Sequence, residues 1–203
     1  MKLKLLSFLA LITLTINVNA QEVKEIPFTF SLTNTSTSLP TSSIFGINNF
    51  PIHPGITIGS YTVLKESEKS KLIQNYKIGY FYHRLSQQAI QLYTETEYQT
   101  KLFKSISGNI DLGVGYLHSF NEREQFELND NGDYVKKKNF GKAQLMFGTS
   151  FGLSYSFLNE NCLLSRVFIN SQFWFQTPFV KSYVPLLPQT TLYLGVELPI
   201  KFK

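Results

Sequence analysis

The chain has 203 residues, 19 basic against 14 acidic, and one cysteine. That length suits a single domain of ordinary size, and the lone Cys162 excludes an intrachain disulfide framework and a multi-cysteine zinc site. The formal charge of +5 drops to +3 when Lys2 and Lys4 are set aside with residues 1–20; this is too weak, and too scattered, to argue for nucleic acid.

The first 20 residues read as a signal peptide. Lys2 and Lys4 make a charged start, residues 5–16 are apolar apart from Ser7, Thr13 and Thr15, and Val18-Asn19-Ala20 places small residues where signal peptidase cuts. The apolar run is short for a spanning helix, which needs roughly 20 residues. Cleavage is therefore expected after Ala20, leaving residues 21–203 as one exported domain. Aromatic residues make up 15% of the chain and charged ones only 16%, where soluble domains are nearer a quarter charged. An exported, aromatic-rich and charge-poor chain suits a lipid-facing surface with aromatic girdles.

Beyond residue 25 the chain alternates strand-like segments with turn signals, and helical periodicity is poor. Residues 26–50 hold a first strand, with residues 28–32 and 44–47 as its two candidates. Residues 56–64 form a weak second segment. Residues 72–83 and 88–100 follow, with Lys77, Glu95 and Glu97 on their polar faces. In residues 106–120, Ile110, Leu112, Val114 and Tyr116 share one face and Asn109, Asp111, Gly113 and Gly115 the other. Residues 142–157 alternate most cleanly, with Leu145, Phe147, Phe151 and Leu153 against Gln144, Gly148, Ser150 and Ser154. Residues 163–175 place Arg166, Asn170 and Gln172 opposite Ile169, Phe173 and Phe175. The last strand, residues 191–202, sets Leu194, Val196 and Leu198 against Tyr193, Gly195 and Glu197. The predicted fold is all-β: an antiparallel up-and-down transmembrane barrel of eight strands, apolar face to lipid and polar or small face inward. With the C-terminus on the periplasmic side, the links at 65–71, 101–105 and 158–161 fall in the periplasm and the long links at 121–140 and 177–189 outside, as such barrels require.

The leader, the two-residue repeats and the near-terminal Phe202 resemble the small outer-membrane barrels of the OmpA/OmpX type, at the level of architecture across residues 26–203. The resemblance implies a bacterial outer-membrane location. It also implies recognition of the C-terminal aromatic strand by the insertion machinery, although Lys203 follows Phe202 here.

Several residues carry potential chemistry. Lys77, Glu95, Glu97, Asp111, Arg166 and Glu197 fall on interior faces, where charges must pair; a narrow eight-stranded barrel with its interior filled by side chains favours a structural network over an ion path. Bulky Phe168, Trp174 and Tyr193 add to that filling. His53, His83 and His118 are expected near the external mouth, as a metal or acid–base site or as interfacial residues, although parity points His83 inward and His118 outward. His118-Ser119 resembles the His and Ser of the lipid A deacylase barrels. That family spaces the two residues two apart, so that both face lipid; here Phe120 stands at that position and Ser119 points inward. His118, Ser119 and His83 are thus the only catalytic candidates. Residues 129–133 lack the spacing of a calcium loop and read as a hairpin tip at Asn131-Gly132. Phe179, Tyr183, Val184, Leu186 and Leu187 make the second external loop an apolar contact surface or a cap.

Three readings follow. The first is an integral outer-membrane barrel with a filled lumen and a structural or surface-interaction role, monomeric, contacting membrane lipid and an extracellular or protein partner through loops 121–140 and 177–189. The second is an outer-membrane lipid A acyl hydrolase acting near His118. The third is a soluble exported barrel that binds an apolar ligand, as lipocalins do. No cofactor, metal or nucleic acid is implied.

Overall fold

The computed structural model describes residues 26–37, 52–84, 86–122, 126–128, 132–136, 138–157, 165–180 and 183–200. The predicted leader, Cys162, Phe202 and the strand candidate at 44–47 lie outside them. Among the described residues there are ten strands: β1 (Ile26–Thr37), β2 (Pro54–Glu66), β3 (Ser70–His83), β4 (Gln87–Lys101), β5 (Ile106–Asn121), β6 (Phe126–Leu128), β7 (Tyr134–Lys136), β8 (Lys142–Ser156), β9 (Arg166–Thr177) and β10 (Leu187–Ile200). Eight of them close a barrel in the order β1-β10-β9-β8-β5-β4-β3-β2, every pair antiparallel. β1 seals it, pairing with β10 from Ile26↔Ile200 to Thr37↔Gln189. Closure leaves no open sheet edge.

The eight-stranded antiparallel barrel is the predicted fold, with shifted boundaries. The first strand is the segment containing residues 28–32. β10 starts at Leu187 rather than residue 191, because residues 187–190 continue the ladder against β9. The charged link read at 65–71 shortens to residues 67–69, since Glu66 and Lys71 still pair across it. Both described chain ends, Ile26 and Ile200, lie with the links 67–69, 102–105 and 157–165 at one end, called here the terminal end. The opposite, loop end carries the links 38–53, 84–86, 122–141 and 178–186. The second of the long links rises as a two-stranded ribbon, β6 against β7. Gly132, at φ 84°, turns at its tip, a conformation that glycine adopts without penalty.

Polarity is inverted relative to a soluble protein. Ile110, Leu112, Val114 and Tyr116 are exposed, as are Leu145, Leu153, Ile169 and Leu194 around the wall, while Asp111, Gln144, Ser150, Gln172, Gln176 and Thr191 are buried inside. Along β5 the exposed apolar row runs from Ile106 to Tyr116. About ten residues of tilted strand, at ~3.3 Å each, cover roughly 25 Å, the height of a bilayer belt. Inside, small residues make room for large ones on the next strand. Gly148 lies opposite Trp174 and Gly115 opposite Tyr93, and a Cβ on either glycine would collide with that neighbour.

Candidate functional site

The interior is the chemically dense part of the molecule, and its contents change from one end to the other. In the terminal half, Arg166 at the start of β9 stands between two carboxylates: Nε is 2.9 Å from Glu197 Oε2, and Nη1 is 3.6 Å from Glu97 Oε1. Tyr61 donates to Glu197 Oε1 (2.9 Å) and Asn75 to Glu97 Oε2 (2.8 Å). The guanidinium also lies over the rings of Tyr61 and Phe168. One step further in, Lys77 pairs with Glu95, whose other oxygen accepts from Gln172 at 2.6 Å; Gln172 in turn accepts from Tyr193 at 2.7 Å. Asp111 has no cation in direct contact among the described residues; Ser150 and Asn109 donate to it instead. Each carboxylate is thus held by a cation or by several donors, which a buried charge requires. All six charged residues singled out from the sequence face this lumen.

The loop half is built differently. Phe81, Ala89, Tyr93, Leu117, Met146 and Trp174 form one buried apolar cluster, with Phe81 edge-on to Trp174. Trp174 Nε1 donates to Thr191 Oγ1 at 2.9 Å. Above the cluster is a belt of amides. Gln87 and Gln176 exchange bonds of 2.7 and 3.0 Å, Gln176 donates to Gln144 (2.7 Å), and Gln144 donates to the Pro178 carbonyl (2.8 Å). The sequence reading did not single out this belt; its signal was a glutamine at an inward position near the loop end of β4, β8 and β9.

His53 and His83 cap this half. Their rings stack at 3.6 Å between centroids and 8° between planes, and both side chains are buried. The His53 backbone is held by Asn34 Oδ1 and by the Thr35 amide. Among the described residues, neither ring nitrogen of His53 nor Nδ1 of His83 has a hydrogen-bond partner. Burial lowers the pKa of the His53 imidazole below the ordinary histidine value. His118 is not part of this pair. It lies on the outer wall, Nδ1 2.7 Å from the Tyr116 hydroxyl and Nε2 3.1 Å from the Phe140 carbonyl. Nε2 therefore donates to the carbonyl and Nδ1 accepts from tyrosine. Ser119 is buried on the other face and donates to Gln144. The strand pleat keeps its hydroxyl away from His118, so no His–Ser pair forms. Among the described residues, no group of three or more His, Cys, Asp or Glu is placed to hold a metal ion.

Of the predicted apolar contact residues, Tyr183, Val184 and Leu186 are exposed. Leu187 is not: as the first residue of β10 it turns inward and is buried, a correction to its assignment as a surface residue. The loop itself is a tight hairpin closed by Val180 and Val184, with Phe179 N bonded to Pro185 O. On the other long loop, Glu122 accepts from the Tyr82 hydroxyl and the Asn139 amide bonds Asn121 O.

No protein-family model matches the chain, and no curated protein matches its sequence. Among solved structures, the outer membrane enzyme PagL aligns with a TM-score of 0.48 and 12% identity, over 86% of this chain and 99% of that one. Neisserial surface protein A (NspA) aligns at 0.46 and 12%, over 86% and 96%. The N-terminal β-barrel domain of Pseudomonas aeruginosa OprF aligns at 0.42 and 13%, over 85% and 97%. In architecture the chain is a small eight-stranded up-and-down barrel.

Proposed function

We propose that the chain is an integral bacterial outer-membrane barrel with a closed lumen, a structural or surface-interaction protein whose contacts are made at the loop end. The observation that carries this is the inverted polarity: a continuous exposed apolar wall around a buried polar interior. Only a barrel with lipid outside is stable that way round. The reading as a soluble lipocalin-like barrel needs the opposite arrangement. The acyl hydrolase reading needs a nucleophilic hydroxyl beside His118 on the lipid face, and Ser119 is buried on the other side of the strand. The exposed Tyr183, Val184 and Leu186, at the same end as the β6–β7 ribbon, are the surface on which a protein partner would seat.

The test is insertion. The mature protein should fold in detergent micelles with heat-dependent gel mobility and appear in the outer-membrane fraction. Phe151→Arg, on the exposed wall in mid-strand, should cost about 2–4 kcal/mol and impair insertion. Normal insertion of that variant, or recovery of the wild type as a soluble periplasmic protein, would overturn the reading. Hydrolysis of lipid A acyl chains by the purified barrel would replace it with the enzymatic one.

A further inference from the structure

The terminal mouth of the barrel is a basin rather than a flush plug. A cavity of about 200 Å³ opens there, lined by Lys69, Lys71, Lys101 and Arg166 and by serines including Ser70 and Ser156. Among the described residues Glu197 is the one carboxylate in its lining, and it is already held by Arg166, Tyr61 and Ser165. Lys71 is paired at 2.8 Å with Glu66, which is more than half exposed on the rim. Among the described residues, neither Lys69 nor Lys101 has a carboxylate within ion-pair distance. The backbone fixes these two lysines relative to one another: Lys101 N donates to Lys69 O at 2.8 Å, and the Ser67 amide closes the turn onto Ser70 O. Two lysines without a direct ion pair, joined by a backbone hydrogen bond, thus line a concave, serine-bearing space above a guanidinium floor; Lys101 acts on Glu66 only at longer range, behind the direct Lys71 pair. Ammonium and hydroxyl donors converging on one small volume are what an oxyanion with several acceptor oxygens requires. The volume is below that of pockets for drug-sized ligands, so it suits one anionic group and little more.

We propose that this basin is an anion site that takes a phosphate group, with Lys69 and Lys101 supplying charge and the inward-facing Ser107 and Ser156 supplying hydroxyl donors. The chemistry is common to a free phosphate compound and to a phospholipid headgroup of the adjoining leaflet. The proposal goes beyond the membrane reading and uses it only to place the basin at a bilayer surface.

The experiment uses the full mature protein, first shown by heat-dependent mobility to be folded in a non-ionic detergent. Inorganic phosphate is titrated by calorimetry or by 31P line broadening. The wild type should bind saturably and lose affinity as NaCl rises. Lys69→Gln/Lys101→Gln should weaken binding by about tenfold or more, the size expected for lost charge-assisted contacts. Lys138→Gln, at the loop end, should leave binding unchanged. No saturable binding by the folded wild type, or equal binding by the double variant with unchanged mobility, overturns the proposal. Nanodiscs then identify the source. If phosphatidylglycerol nanodiscs suppress phosphate binding that persists in detergent, and Lys69→Gln/Lys101→Gln removes the suppression, a headgroup occupies the basin. If phosphate binds in phosphatidylglycerol nanodiscs as tightly as in detergent, the ligand is a soluble phosphate compound.

Discussion

In the terminal half of the lumen, Arg166 and Lys77 hold carboxylates from β4 and β10, whereas in the loop half Trp174 and Phe81 pack against Tyr93, Met146 and Leu117 beneath a belt of glutamine amides. Both halves fill the interior of the same eight-stranded barrel, and they do so by opposite means. Ion pairs fill space with fixed direction: Arg166 on β9 bonds residues on β4 and β10 and so couples the register of strands that are not all neighbours. The apolar layer has little directional demand, but it excludes water. A charged layer alone would stay hydrated, and an apolar layer alone would not specify register. Stacked along one axis, the two fill the lumen with side chains in a fixed arrangement.

The comparison is broken most severely at Arg166. Arg166→Met keeps much of the volume but strands Glu97 and Glu197 without their cation. Removing one partner of a buried pair costs about 3–5 kcal/mol. Urea unfolding in micelles should show that loss, and adding Glu197→Gln should recover part of it. If Arg166→Met were neutral, the terminal half would be a hydrated vestibule rather than a packed layer.

In the loop half, Trp174→Ala should cost about 3 kcal/mol by opening a void opposite Gly148. It should also do what the charge variants do not, and admit water through the apolar layer. Planar-bilayer recordings should find the wild type silent and Trp174→Ala leaky; stable large conductance from the wild type would show that the apolar cluster does not seal. A smaller effect is expected one layer up. Gln176→Leu removes the amide that links Gln87 to Gln144, leaving buried dipoles rather than charges unpaired, at about 1–3 kcal/mol. A loss as large as that of Arg166→Met would remove the distinction between the halves.

The wall and the charged half were the more legible parts of the sequence. Period-two alternation along residues 142–157 and 106–120 reports which side faces out, because an exposed apolar row constrains every second residue. A buried Lys77 or Arg166 is conspicuous on its own. The apolar layer was harder to read, because Phe81, Leu117 and Met146 sit on faces that are otherwise polar and interrupt the alternation instead of following it. The histidine pair was hidden for another reason. Parity sends His83 inward and His118 outward, but His53 precedes its strand, and the stacking of His53 on His83 depends on how β2 is registered against β3. The start of β10 was lost to Pro185 and Pro188, which read as loop punctuation although Pro188 lies within the strand.

That histidine pair gives the smallest and most local contrast between the two mouths. The His53 imidazole has a pKa lowered by burial, so it binds a proton less readily with the mouth closed than in the open or unfolded chain. Above the ordinary histidine value of about 6.5 both states are neutral and the mouth is at its most stable. As pH falls through that value toward the lowered one, the open state gains protons that the closed state does not, and closure weakens. Among the described residues in contact with His53, Asn34, Thr35 and the His83 ring bring no carboxylate that would offset a proton. Protection of the Thr35 amide, its exchange corrected for the intrinsic rate, should therefore fall between pH 7.5 and 5, while protection at Lys101, whose amide is bonded to Lys69 O at the other mouth, should not change. His53→Phe/His83→Phe keeps an aromatic stack without the titration and should flatten the response at Thr35. If Thr35 protection is as insensitive to acid as that of Lys101, or if the Phe pair keeps the acid response, the stacked histidines are a passive cap and the two mouths differ in composition alone.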